Sequence, residues 1–286
     1  MWNKLQRWFK AGSSARQLLS DEQMDSWSRN GFLVLKGFFT PQDINVFEDE
    51  VAQLIQERAQ AAGEVVIDVL DGPLTGKRIK LRDAPQEAID HTHKINDLYL
   101  VSDNCRSLNL HHRLVAVLND VLGAVPVVVN SLSFTKGSQQ PHHFDTYYMP
   151  PPVEGRMVVS SICLEKQTLE AGPLSYYPGS HLIPPYRFSH GGLAAVNDEL
   201  PDARRYIQAQ LAERGLTPDI FVGDIGDVFI WHGQLYHGGS AIADHNRTRR
   251  TLVTHYWASE DLPIWRQVKL NTGGAYLSRD HQPIPQ

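Results

Sequence analysis

The sequence predicts an α+β domain with a mainly β core, in which helices from the first half pack on a β-sandwich or barrel. Three observations carry this reading. Helical patterns stand within residues 20–63 and over 103–122, segments rich in β-branched and aromatic residues follow from 126 onward, and no repeat, low-complexity linker or charge block divides the chain. A chain of 286 residues has ample core for one large domain, expected here over residues 20–286.

The elements follow in order. Residues 1–19 are a basic N-terminal extension in which Trp2, Leu5, Trp8 and Phe9 recur at roughly helical spacing. A short amphipathic helix resting on a membrane is one reading, and packing on the chain's own core is the commoner one. The segment lacks the continuous apolar stretch of a signal peptide, and no membrane-spanning run occurs, so stable membrane insertion is not expected. Ser20-Asp21-Glu22-Gln23 reads as a capping box, with Met24 and Trp27 on one face of the helix it starts. Gly31-Phe-Leu-Val-Leu-Lys-Gly37 is an apolar run between glycines and suits a strand. Thr40-Pro41 restarts a helix with a cap and an N1 proline, and Ile44, Phe47, Val51, Leu54 and Ile55 form its buried stripe.

Residues 64–100 are mixed, with a strand-like piece over 65–70. From 103 to 122, Leu108, Leu114, Val115, Leu118 and Leu122 recur helically, and Gly123 ends the run. Strands are predicted over 126–134, 157–164, 227–231 and 251–257. A helical pattern over 198–214 is inserted among them, and residues 183–216 are expected to form a lid over a site.

Composition excludes some functions. A net charge of −5 gives no overall basic field, so nucleic acid is not an expected partner. The two cysteines, Cys105 and Cys163, cannot build a disulfide framework or a zinc ribbon, and a reducing cytoplasm is the expected location. A small-molecule substrate is the expected partner, and the sequence leaves the oligomeric state open.

The chemistry concentrates in Gln139-Gln140-Pro141-His142-His143-Phe144-Asp145. On a strand, residues two apart point the same way, so His143 and Asp145 present an imidazole and a carboxylate to one point while His142 and Phe144 face away. A third ligand must come from elsewhere, and Trp231-His232-Gly233-Gln234-Leu235-Tyr236-His237 offers two histidines. Two histidines and one carboxylate on one face of an octahedron leave three open positions, which suits a non-haem iron(II) oxygenase. Beyond them, Arg247, Arg249 and Arg250 precede an apolar strand. One fixed guanidinium there would grip a carboxylate bidentately. The plainer readings are a hydrogen-bonded His-x-Asp pair and a solvated basic turn.

Four ordered segments resemble the phytanoyl-CoA dioxygenase family of iron(II)/2-oxoglutarate oxygenases. They are Asn30-Gly-Phe-Leu-Val-Leu-Lys-Gly-Phe-Phe39, His143-Phe144-Asp145, Ala171-Gly-Pro-Leu-Ser-Tyr-Tyr-Pro-Gly-Ser-His181, and Gly226-Asp-Val-Phe-Ile-Trp-His232 followed by His237-Gly238 and the arginine strand. The resemblance runs from about residue 20 to 257. It implies a double-stranded β-helix, a jelly roll of the cupin type, with the metal at its open end and N-terminal helices buttressing one sheet. It implies iron(II) held by His143, Asp145 and His237, with His232 a neighbour and the alternative ligand. It places 2-oxoglutarate on Arg249, counted back from His255-Tyr256, with Lys136 and Tyr147 as helpers. The family commonly carries serine two positions after the last ligand. This chain has Gly239 there and Ser240 next, and its loop to the arginine is one residue longer, so Ser240 is expected to take over that contact.

The implied activity is a dioxygenase that consumes 2-oxoglutarate and O2, hydroxylates a small organic metabolite and releases succinate and CO2. Related halogenases replace the carboxylate ligand with a small residue to admit chloride. Asp145 therefore points to hydroxylation and not halogenation. Tyr148, Arg156, Tyr176 and Tyr186 lie on segments near the site and suggest an aromatic pocket with a cationic rim, for a compact substrate bearing an anionic group. Packing on half-buried strands is their plainer role. Two other functions compete: a cupin-like metal enzyme that does not use 2-oxoglutarate, and a non-catalytic binding protein of the same fold.

Overall fold

The computed structural model describes residues 18–285. Its helices and strands arise where local chemistry dictates. Ser20 caps the helix Asp21–Asn30 through a reciprocal box with Gln23, and Gly31 ends it in the left-handed conformation. Thr40 and Asp43 cap the helix Pro41–Gln56 in the same way, and it buries Ile44, Phe47 and Val51. The pattern expected as one helix over 103–122 divides into Asp103–Asn109 and His112–Leu122, because the chain leaves helical geometry at Leu110 and His111. Helix Leu200–Glu213 forms as the sequence predicts. Of the N-terminal extension, residues 1–17 and the amphipathic pattern on them lie outside the described residues. Leu18 and Leu19 are tied by backbone N–H bonds to Asp120 Oδ2 at 2.9 and 2.8 Å.

The core is a jelly roll of mainly antiparallel sheet. Along one sheet run β1 (Phe32–Leu35), β9 (Val228–His232), β6 (Met157–Cys163), β11 (Thr251–Ala258), β5 (Pro126–Phe134), β4 (His93–Asn96), β2 (Val66–Val69) and β3 (Arg78–Lys80). A hairpin of β12 (Gln267–Lys269) and β13 (Ala275–Leu277) joins β5 in parallel. The smaller sheet is β10 (His237–Gly239), β7 (Leu174–Tyr176) and β8 (Asp219–Phe221).

Strand alternation divides the large sheet into two faces. Val158, Ile162, Val228, Ile230, Leu252 and Tyr256 face the helices and pack with Trp27, Ile44, Phe47, Leu114 and Leu118. Met157, Val159, Phe229 and Trp231 face inward and pack with Tyr176 and Phe221 of the small sheet. A β-bulge separates the pairs His255–Asn130 and Tyr256–Val128 and leaves Val129 as the extra residue. The bulge turns Asn130 toward the interior beside His255, where both line the same cavity.

No helix among the described residues is long and apolar enough to cross a membrane.

Candidate metal centre and cavity

His143 and Asp145 do not lie on a strand, contrary to the alternation expected from the sequence. His143 forms an isolated bridge to His237, and Asp145 opens the helical turn Asp145–Tyr148. The two side chains still converge, because the chain turns between them. The bridge is reciprocal: His143 N donates to His237 O at 2.8 Å, and His237 N donates to His143 O at 3.1 Å. It brings together residues 94 positions apart, and Gly238 permits the approach. A Cβ at that position would come within 2.8 Å of Gln140 O and 2.9 Å of His142 N, both rigid backbone atoms. The side chains at 142 and 144 face away as expected. The His142 ring lies beside Tyr177 and Tyr236, and Phe144 is buried among Tyr147, Phe188 and Tyr236.

His143, Asp145 and His237 place their ligand atoms within 4.8 Å of one another. Nε2 of His143 and of His237 lie 3.5 and 3.7 Å from Asp145 Oδ1. The far side of each ring sets its tautomer. His143 Nδ1 is 2.8 Å from Pro141 O and His237 Nδ1 is 2.9 Å from Leu235 O. A carbonyl only accepts, so the network assigns the proton to Nδ1 and leaves both Nε2 lone pairs toward Oδ1. Asp145 is oriented by Trp231, whose Nε1–H donates to Oδ2 at 2.8 Å. The protonation states suit a metal, which needs neutral imidazoles and a carboxylate. Burial pushes the His237 imidazole down to about 4, against the pull of Asp145. Burial also pushes the Asp145 carboxyl up, but the neighbouring His237, His143 and His255 imidazoles outweigh it and hold the group well below the ordinary carboxylate range.

The triad opens into a cavity of about 320 Å³ between the sheets, whose walls include Leu132, Phe134, Tyr148, Met149, Leu174 and Val253. Arg249 lines it too, only 6% exposed. Its backbone N–H bonds Thr135 O, and its Nε is buried without a hydrogen-bond partner among the described residues. Burial lowers the guanidinium to about 10, so it stays cationic at neutral pH. Of its neighbours, Arg250 pairs with Glu48 and Glu165, and Arg247 with Asp244, leaving Arg249 as the arginine of the three that reaches the cavity.

Several expected contacts stand elsewhere. Lys136 directs Nζ to His245 O at 3.2 Å and does not line the cavity; Lys94 and Arg78, which sequence reading missed, do. Ser240, one residue past β10, does not line the cavity; its N–H donates to Pro173 O, and Gly238 and Gly239 occupy the wall instead. Tyr147 is core: its hydroxyl accepts from Tyr186 N at 2.9 Å and its ring packs on Phe144 and Phe188. Tyr186 packs on Phe188 and Tyr206, and Tyr176 packs on Phe32 and Phe229 and donates to Asp219 Oδ2 at 3.2 Å. Arg156 is engaged by Glu260 and Asp261. Of these aromatic and basic candidates Tyr148 alone lines the cavity, half-exposed and edge-on to His143 with ring centroids 5.2 Å apart. His232 lies outside the triad. Its Nε2 faces Gly155 O, its Nδ1 accepts from Gln234 N, and its ring sits beside His181 and Trp27.

The segment expected as a lid, 183–216, contributes none of the cavity lining. Ile183, Phe188, Leu193, Ile207 and Leu211 pack instead on Phe144, Tyr147 and Tyr236, behind the residues that flank the ligands. Trp231, Lys94 and Asn130 were invisible as site residues in the sequence. Their inward orientation depends on strand register and, for Asn130, on a bulge.

Comparison with known proteins agrees with this architecture. The profile of the phytanoyl-CoA dioxygenase (PhyH) family matches residues 27–251. Phytanoyl-CoA dioxygenase domain-containing protein 1 of Rattus norvegicus is 24% identical, over 82% of this chain and 89% of its own length. Among solved structures, the non-heme alpha ketoglutarate dependent carbocyclase SnoK from nogalamycin biosynthesis superposes with a TM-score of 0.63 at 16% identity, covering 87% of this chain and 88% of its own. EctD from S. alaskensis, solved with 2-oxoglutarate and 5-hydroxyectoine, gives 0.62 at 18% identity, covering 89% and 81%. These two share the fold. The family profile spans most of the chain and ends at the first residue of β11, and the chain belongs to the phytanoyl-CoA dioxygenase family of iron(II)- and 2-oxoglutarate-dependent oxygenases.

Proposed function

We propose that this oxygenase hydroxylates a compact organic metabolite, with iron(II) held by His143, Asp145 and His237 and the distal carboxylate of 2-oxoglutarate held by Arg249. The residues fit both groups. Two bare imidazole lone pairs and one carboxylate are the donor set of a non-haem iron(II) oxygenase. The observation that carries the reading is the buried Arg249 guanidinium, which has no anion beside it among the described residues and lines the same cavity as the triad. Burial of the cation costs desolvation free energy, which an anionic ligand would repay. A metal enzyme that did not use an oxo acid would leave this arginine unexplained.

When bound, iron(II) and 2-oxoglutarate supply the oxidation of a substrate C–H bond by O2, coupled to formation of succinate and CO2. The protein's own residues do the rest. Pro141 O and Leu235 O hold the two imidazoles in their tautomers, and Trp231 holds the carboxylate. Lys94 and Arg78 line the cavity wall and share Asp68 as their one carboxylate partner among the described residues, which leaves net positive charge there, suited to an anionic group on substrate or cofactor. Leu132, Phe134, Leu174 and Val253 exclude water from the interior. Asp145 supports hydroxylation over halogenation, since it fills the ligand position that the related halogenases leave to chloride.

Anaerobic titration of the iron(II)-loaded chain with 2-oxoglutarate tests the assignment. A saturable visible absorption band is expected, followed in air by succinate. Absence of both band and succinate would sink the oxygenase assignment, and a chlorinated product in chloride buffer would sink the hydroxylase one.

A further inference from the structure

A third imidazole stands at the metal centre. His255 is on β11, paired with Asn130 of β5 and Val159 of β6, so it faces the cavity, and it is only 4% exposed. Its Nε2 lies 3.6 Å from Asp145 Oδ1, between the 3.5 Å of His143 and the 3.7 Å of His237. Distance from the carboxylate therefore does not separate ligand from neighbour.

The far side of the ring does. His143 and His237 each have a carbonyl oxygen on Nδ1, which keeps the proton there and the lone pair on Nε2. His255 Nδ1 is buried with no partner among the described residues. Nothing holds a proton on that nitrogen, whereas Asp145 Oδ1 facing Nε2 is a pure acceptor. The ring therefore carries its proton on Nε2 and has no lone pair to offer a metal at that atom. Consistently, the set whose donor atoms all lie within 4.8 Å of one another includes His143, Asp145 and His237 but not His255.

We propose that His255 is a positioning residue for the metal centre, its Nε2–H directed at Asp145 Oδ1 while the Trp231 indole holds Oδ2. The separation is longer than a formed hydrogen bond by about 0.5 Å, and such contacts tighten when a site fills. The carboxylate is thus gripped from two strands, β9 and β11. Its rotation is restrained and its negative charge is partly shared with two donors. This inference rests on the ligand assignment above.

The test uses Co(II) affinity, measured by chelator competition, and the number of imidazoles on bound Cu(II), counted by pulsed EPR. His255→Leu removes the donor, whereas His255→Gln restores an N–H near the position of Nε2. Loss of a group that orients a ligand weakens metal binding about 10- to 100-fold. His255→Leu should show that loss and His255→Gln should recover to within about threefold, with two imidazoles on Cu(II) in all three proteins. Three imidazoles in the unmodified chain, falling to two in His255→Gln, overturn the proposal by making His255 a ligand. Co(II) affinity unchanged in His255→Leu overturns it as well. If the leucine variant does not fold, the glutamine variant decides alone: affinity within threefold supports the role, and a hundredfold loss overturns it. A chain that binds Co(II) but never 2-oxoglutarate fails the oxygenase reading and leaves the His255 result intact.

Discussion

Replacing Arg249 with methionine should move two measurements in opposite directions. The guanidinium is buried, and burial takes it from 12.5 to about 10. At about 1.4 kcal/mol per pH unit, that is a desolvation penalty of roughly 3 kcal/mol in the ligand-free protein. Methionine has a similar length and no charge, so the metal-free protein should unfold at a temperature higher by several degrees, given about 2–4 °C per kcal/mol for a domain of this size. Binding of 2-oxoglutarate should suffer, because removing one partner of a buried charge pair costs about 2–5 kcal/mol. That corresponds to a roughly 30- to 4,000-fold weaker Kd. Differential scanning fluorimetry without metal and anaerobic titration of 2-oxoglutarate into the iron(II) protein read the two effects. Arg249→Lys keeps the charge but loses the fork, and should fall between. If Arg249→Met bound 2-oxoglutarate within threefold of the unmodified chain, or melted several degrees lower, the reasoning would be refuted, since the arginine would then serve the fold.

His143→Ala, Asp145→Ala and His237→Ala should each abolish iron-dependent succinate formation, whereas His142→Ala, whose ring bonds Ser175 and packs on tyrosines, should retain most of it; equal loss at 142 would show the wrong residues had been chosen. Gly238→Ala should push the bridge apart, since its Cβ would meet Gln140 O and His142 N. A loss of about 1–3 kcal/mol is expected from the overpacking, with weaker Co(II) binding, and a variant that melts and binds as the original would contradict it. Metal-free stability should fall with acid. Burial lowers His181 and His237 to about 4 and His232 to about 3, from an ordinary 6.5. Between those values the unfolded chain binds more protons than the folded one, so stability declines as pH drops from about 6.5 toward 4. At pH 5 each should have lost on the order of 2 kcal/mol, and an unchanged melting temperature between pH 7 and 5 would argue against this burial.

Much was legible in advance because short-range chemistry fixes it. The caps at Ser20 and Thr40 and the apolar stripe of Ile44, Phe47 and Val51 depend on neighbours a turn away. The long strands Pro126–Phe134, Met157–Cys163 and Thr251–Ala258 show in β-branched content. The very short strands β3, β7, β8, β10, β12 and β13 were not foreseen, because three residues carry too little pattern to read. They form where a neighbouring strand supplies the pairing.

The metal centre divides along the same line. From sequence alone, His143 and Asp145 were a pair aimed at one point, and two downstream histidines and three arginines remained open until resemblance to a family narrowed them. The pairing mechanism expected, alternation on a strand, is not the one found. A reciprocal backbone bridge between His143 and His237, admitted by Gly238, brings the residues together. Tertiary structure also singled out Arg249, because burial without a counter-ion is a property of packing, and it placed Lys94, Trp231 and His255 around the site through strand register. The α+β class, the long elements and the donor types are local, written in residues near one another along the chain. Which donors meet, and which imidazoles present a lone pair, depends on backbone partners brought from far along the sequence.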